Sequence, residues 1–96
     1  MSSYVLSEAA DADIAGIARH SITQWGLARA KRYILEIHQA FETLGQLPDL
    51  GRNAGHLRPG YFGFDHQIHS IFYQKTTSGI FVVRVLHQKQ QPENYL

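Results

Sequence analysis

The alternation of apolar and polar positions is clearest between Ile68 and His87, where two apolar runs flank Thr76-Thr77-Ser78-Gly79. This pattern predicts a β-hairpin. Ile68, Ile71, Phe72 and Tyr73 precede the turn, and Ile80, Phe81, Val82, Val83, Val85 and Leu86 follow it, all β-branched, aromatic or aliphatic. Gly79 supplies the positive φ that a four-residue connection often needs at its last position. The second arm is apolar on both alternating sets, Ile80/Val82/Leu86 and Phe81/Val83/Val85, as a central strand covered on two sides would be. Arg84 is the one charge inside that run.

Upstream the period changes from two to three and four. Tyr4 to Ser7 reads as a short strand that stops at a helix start, with Ser7 as N-cap and Glu8, Asp11 and Asp13 near the positive end of the helix dipole. Ala10, Ile14, Ile17, Ala18 and Trp25 then share one helical side. Gly26 interrupts that stripe, and a second begins with Ala30, Tyr33, Ile34, Ile37, Phe41 and Leu44. So short a break implies an antiparallel helical hairpin. Gly45 and Pro48 end the second helix, residues 47–55 are loop by composition, and Tyr61-Phe62-Gly63-Phe64 enters the hairpin as a strand. Gln88 to Leu96 is polar and reads as a loosely attached tail. The expected fold is therefore α+β: an N-terminal strand, an antiparallel helical hairpin, then a mostly antiparallel three-stranded sheet. Ile34, Ile37, Phe41, Val83 and Val85 are its expected shared core.

Length and composition narrow the classes. Ninety-six residues make one expected domain, 1–96, with the tail at about 88–96. A chain this size buries somewhat over ~60% of its unfolded surface. Without cysteine there are no disulfides, thiolate metal sites or cysteine nucleophiles. The start, Met1-Ser2-Ser3-Tyr4, has no basic region followed by an apolar run, and no run approaches the ~20 residues of a membrane span, so a soluble cytoplasmic protein is expected. Nine Lys and Arg against eight Asp and Glu argue against a sequence-specific nucleic-acid binder, although after Asp49 five basic residues face only Asp65 and Glu93.

Six ordered pieces of the chain resemble the ParE-type toxins of bacterial toxin–antitoxin modules, within the RelE/ParE superfamily. They are Tyr4-x-Leu6-Ser7-x-x-Ala10-x-x-Asp13-Ile14, Trp25-Gly26 with Ala30 and Tyr33, Pro48-x-x-Gly51-Arg52, Leu57-Arg58-Pro59-Gly60, His69-x-Ile71-Phe72-Tyr73, and Gly79-Ile80-x-x-Val83-Arg84-Val85-Leu86-His87. Residues 61–68 and Gln88-Lys89-Gln90-Gln91 depart from the family pattern. The resemblance implies a growth-arresting toxin that stalls the cleaved-DNA intermediate of DNA gyrase by protein contact, without chemistry of its own. It also implies plasmid stabilisation and a cognate antitoxin that restrains the toxin. Consistent with this, the sequence has no Gly-rich phosphate loop, no Gly-x-Ser-x-Gly elbow and no dense acid cluster.

A rival comes from the same superfamily, whose ribosome-dependent mRNA endonucleases use arginine, lysine, histidine and a C-terminal tyrosine. Arg58, Arg84, His87 and Tyr95 are the residues that this reading would make catalytic. Arg52, Arg58, Arg84, His87, Tyr95 and Leu96 are the candidates for target contact. For the antitoxin, an amphipathic helix or strand along the helical hairpin and sheet edge is expected, with Ile14, Ile17, Ile34 and Ile37 as apolar anchors. A third reading is an inactive toxin-fold binding module.

Each candidate also has a plain structural reading. Arg84 sits in an otherwise buried run, where an arginine is paired or snorkels to water; Glu93 is an available acid. Arg52 and Arg58 flank a glycine-rich loop and either grip an anion or carboxylate or are simply solvated. Trp25 reads as a plug between helices. His66-x-x-His69 on a strand would place two imidazoles on opposite faces, and no third ligand is evident, so no metal or other cofactor is expected.

Overall fold

The computed structural model describes residues 3–96, so Met1 and Ser2 at the start of the expected domain lie outside the described residues. In chain order it comprises β1 (Tyr4–Leu6), α1 (Glu8–Trp25), α2 (Leu27–Gln46), β2 (Arg52–Asn53), β3 (Tyr61–His66), β4 (His69–Thr76) and β5 (Gly79–His87), with short 3-10 turns at Pro48–Leu50 and Pro92–Asn94. The α+β architecture follows the sequence pattern. Among the described residues the sheet has five strands, ordered β1-β5-β4-β3-β2, so the expected N-terminal strand joins the three-stranded sheet at one edge, and β2, in the stretch 47–55 expected to be loop, joins it at the other. β1 runs parallel to β5, while the other pairings are antiparallel. This makes β5 a central strand, as its apolar run implied.

Local chemistry sets the element ends. Ser7 caps α1: its hydroxyl accepts from the Ala10 N–H at 2.9 Å and donates to the Val83 carbonyl at 2.6 Å, joining helix start to sheet. Gly26 alone links the two helices at φ 88° and ψ 166°, a conformation that only glycine adopts cheaply. Gly79 closes the β4–β5 turn at φ 151°, and a Cβ there would collide with the Ser3 carbonyl oxygen that receives the Ile80 N–H. Gly45 lies within the last turn of α2 rather than after it, where Ser3 fills the space a side chain would need.

Most of the core lies between the helices and one face of the sheet, where Ile14, Tyr33, Ile37, Phe41 and Leu44 meet Ile71, Tyr73, Ile80, Val82 and Val85. A smaller core on the other face joins Phe72 and Leu86 to Ala54, with Leu57, Tyr61 and Leu96 against it. The tail is therefore packed, not loosely attached. The face assignment along β5 needs a second correction. Phe72 pairs with Arg84 but Tyr73 with Val82, so Val83 is an extra residue in a β-bulge. One extra residue exchanges faces for everything beyond it. Val85 joins Ile80 and Val82 under the helices, while Leu86 faces away with Arg84 and Phe72; Val83, expected in the core, is only half-buried.

Candidate functional site

Three surfaces collect the chemistry. The first surrounds Arg84. Its Nε and Nη2 donate to the two carboxylate oxygens of Asp13, both at 2.8 Å, and one of those oxygens also receives the Val85 N–H at 2.9 Å. Hydrogen bonding to Asp13 pushes the guanidinium further above its ordinary pKa, against the opposing effect of burial. The partner is thus Asp13 of α1 and not Glu93. The third nitrogen, Nη1, donates to the Tyr95 carbonyl at 3.1 Å while the Tyr95 ring lies 5.5 Å from the guanidinium carbon. Arg84 therefore ties helix, strand and tail together, leaving Tyr95 exposed and Leu96 against Phe72 and Leu86.

The other proposed target-contact residues are dispersed. Arg52 bonds Asp65 at 3.0 Å in an exposed pair bridging β2 and β3, with Asp65 also accepting from Ser70 at 2.7 Å. Arg58 is exposed on the turn before β3. His87 emerges on the helix side of the sheet, on the face opposite Arg84, and its Nδ1 accepts the Lys89 N–H at 3.0 Å. The four residues proposed as a nuclease set are thus split: Arg84 and Tyr95 meet, and His87 points to the other face.

The second surface is the outer side of the helical hairpin. An apolar groove of about 350 Å³ runs between α1 and α2, floored by Ala18, Ala30 and Ile34 and walled by Ile22, Leu27 and Leu35. Leu35 is 59% exposed and Leu27 55%. Of the expected antitoxin anchors, Ile34 lines this groove, but Ile37 is fully buried and Ile14 8% exposed, both against the sheet. Ile17 is half-buried and faces a different cavity. The helical stripe counted these isoleucines correctly as apolar; it could not say that Ile14 and Ile37 are the ones the sheet covers. Ile22, Leu27 and Leu35, absent from the stripe, are the exposed apolar residues that reading missed.

The third surface is a histidine cluster at the end of the sheet beside the helix–helix turn. His66 and His69 pair directly across the β3–β4 turn and so share one face, because Gln67 takes φ 51° and the chain reverses between them. Strand alternation does not apply across a turn, which is why their spacing misled. Tyr33 lies against both rings and bonds His69 Nδ1 at 2.6 Å, while His66 bonds Glu36 at 3.1 Å. His69, 7% exposed, has its pKa lowered to about 4, first by burial and then by the His87, His66 and His20 imidazoles. Burial and Glu36 raise that of Tyr33. Trp25 packs edge-on to Tyr33 at 5.6 Å and carries the Arg29 guanidinium at 4.9 Å on its outer side. Among the described residues no group of three or more His, Cys, Asp or Glu is placed to hold a metal ion, and no helix is long and apolar enough to cross a membrane.

Comparison with known proteins matches residues 4–92 to the family model described as "ParE toxin of type II toxin-antitoxin system, parDE". "Toxin ParE1" of Mycobacterium tuberculosis strain H37Rv is 36% identical over 96 residues, covering 99% of this chain and 98% of that protein. "Toxin ParE1" of Caulobacter vibrioides is 31% identical over 96 residues, covering 100% and 99%. Among solved structures, a chain of the "Chromosomal ParDE TA system from P. aeruginosa" superposes with a TM-score of 0.76 at 20% identity, over 91% of this chain and 96% of that one, and so shares the fold. A strand, a helical pair and a sheet latched by Asp13 and Arg84, matched along nearly the full chain, place this protein in the ParE toxin family of type II toxin–antitoxin systems.

Proposed function

We propose that this ParE-type toxin inhibits DNA gyrase by protein contact, without catalysing a reaction, and is neutralised by a cognate antitoxin in the cytoplasm. The observation that carries the reading is the family match over residues 4–92, which embraces the six motifs that resemble the gyrase-directed toxins. Within it, residues 1–96 act as a single toxin domain. The gyrase-facing surface centres on the tail, where Arg84 holds Tyr95 outward beside Leu96, with Arg52 and Arg58 contributing from the loop side. The split of Arg84 and His87 between faces supports contact over a shared catalytic centre.

The antitoxin occupies the apolar groove outside the helical hairpin, with Ile22, Leu27, Ile34 and Leu35 as contacts in place of the buried Ile14 and Ile37. An amphipathic helix inserting side chains at helical spacing matches a groove of this shape, and the fold shared with a chain of a ParDE toxin–antitoxin system fits a partner of that kind. Gyrase supercoiling measured with purified protein and no ribosomes tests the reading. Supercoiling should stop and cleaved DNA accumulate, and adding antitoxin should reverse both. Unimpaired supercoiling together with cleavage of translated messages would replace it by the nuclease reading; neither activity would leave an inactive binding module.

A further inference from the structure

A cavity of about 380 Å³ separates α1 from the far ends of β4 and β5, distinct from the hairpin groove and touched by the tail at Gln90. His69 and His87 both line it, with ring centroids 5.5 Å apart. Their contacts favour one tautomer of each. His87 Nδ1 accepts a backbone N–H from Lys89, so its ring proton is on Nε2. The Tyr33 hydroxyl lies 2.6 Å from His69 Nδ1 against 3.4 Å from the His66 carbonyl, so the imidazole is its nearer acceptor, and an Nδ1 that accepts from it leaves the His69 proton on Nε2. Neither Nε2 has a protein acceptor among the described residues. No fully occluded side-chain nitrogen among them lacks a partner, so the Nε2 of the buried His69 opens on the cavity it lines.

Two N–H donors without acceptors thus meet at one cavity. The one carboxylate on its wall, Asp13, is already held by Arg84 and the Val85 N–H. The remaining wall combines an apolar and aromatic stretch, Ile17, Trp25 and Val85, with the polar side chains of His20, Ser21 and Gln90. The cavity is also kept open at a cost to the helix. Gly16 stands in the middle of α1, where glycine is among the poorest helix formers. A Cβ built there meets only Arg19 Nη2, at 3.8 Å, so space and not crowding accompanies the glycine. A donor that opens on a largely apolar cavity without a protein acceptor suits a ligand that brings one, and a pair of donors suits the two oxygens of one carboxylate.

We propose that this cavity binds a small organic acid, its carboxylate between the Nε2–H groups of His69 and His87 and its ring or branched aliphatic body against Trp25 and Ile17. The site is independent of which target the toxin acts on.

Side-chain nitrogen–proton spectra of the histidines in the intact protein test it, with benzoate, phenylacetate and indole-3-acetate as probes and indole and benzyl alcohol as uncharged counterparts. At least one acid should move the His69 and His87 Nε2 signals along a single binding curve, with the uncharged counterparts binding about tenfold more weakly or less. Gly16→Leu, which fills the space from a helix-favouring residue, should abolish binding while both tautomers persist. His87→Phe should reduce the acids to the affinity of their counterparts. The proposal is overturned if none of the three acids moves these signals, if acids and counterparts bind alike, or if Gly16→Leu binds as the parent does.

Discussion

The two halves of β5 are built differently. From Gly79 to Val82 the strand is bordered by the β1 main chain, with Tyr4, Val5 and Leu6 in register against Ile80, Phe81 and Val82. Beyond the bulge at Val83 the border consists of side chains: the Ser7 hydroxyl on the Val83 carbonyl, the Asp13 carboxylate on the Val85 N–H, and the Gln90 amide oxygen on the His87 N–H. Backbone pairing asks little of residue identity, whereas side-chain pairing requires particular residues. The first half therefore rests on backbone pairing, while the second rests on particular side chains that also gather Arg84, the tail and the histidine cavity.

The largest expected effect belongs to the first half. Phe41 is fully buried beneath β1, its ring 5.2 Å from that of Tyr4. Phe41→Ala should cost about 3 to 5 kcal/mol in urea unfolding. A loss below about 1 kcal/mol would show that this half does not carry the core.

In the second half, Asp13→Ala leaves a mostly buried guanidinium and the Val85 N–H without their acceptor. The expected loss is about 2 to 4 kcal/mol. Adding Arg84→Met should recover at least about 1 kcal/mol, because the stranded charge is removed. Strictly additive losses would mean that the two side chains are not coupled.

The same half should give the fold a pH dependence. His69 has a folded-state pKa of about 4 against an ordinary 6.5, so the unfolded chain takes up this proton first as pH falls. Its contribution is complete above 6.5 and is lost toward about 4, at about 1.4 kcal/mol per pH unit and about 3 kcal/mol in all. Unfolding measured across that window should show the slope, and His69→Phe should flatten it. An unchanged slope in the variant would assign the dependence to other groups.

At the distant β2 edge, Arg52→Ala removes an exposed ion pair with Asp65. Stability should change by less than about 1 kcal/mol. A larger loss would give this edge a structural role comparable to the latch around Arg84.

The same division explains what the sequence disclosed. The Ser7 cap, the two helices meeting at Gly26 and the turn closed at Gly79 are local, and each was legible from residues within a few positions. The bulge was not, because Val83 continues an apolar run and nothing in its identity marks it as the extra residue. Asp13 looked like dipole chemistry at a helix start, yet it is the acid that holds Arg84, 71 positions away. Glu93, nearer in sequence, was the wrong partner for that reason. The antitoxin anchors divided along the same line: periodicity identified the apolar side of each helix, while burial of Ile14 and Ile37 depended on where the sheet lay. The tail looked loose because Leu96 is its one apolar anchor, and the rest is secured by polar contacts: Gln88 to the Ile68 carbonyl, Gln90 to the His87 N–H and Tyr95 to Arg84.

Deleting Gln91 to Leu96 tests most directly the claim that the second half of β5 displays a target-contacting surface on a separately built fold. The helical circular dichroism signal and antitoxin binding should persist, while growth arrest and gyrase inhibition are largely lost. A truncated chain that inhibits gyrase as strongly as the full chain would contradict the account, and one that no longer folds would make the tail part of the core instead.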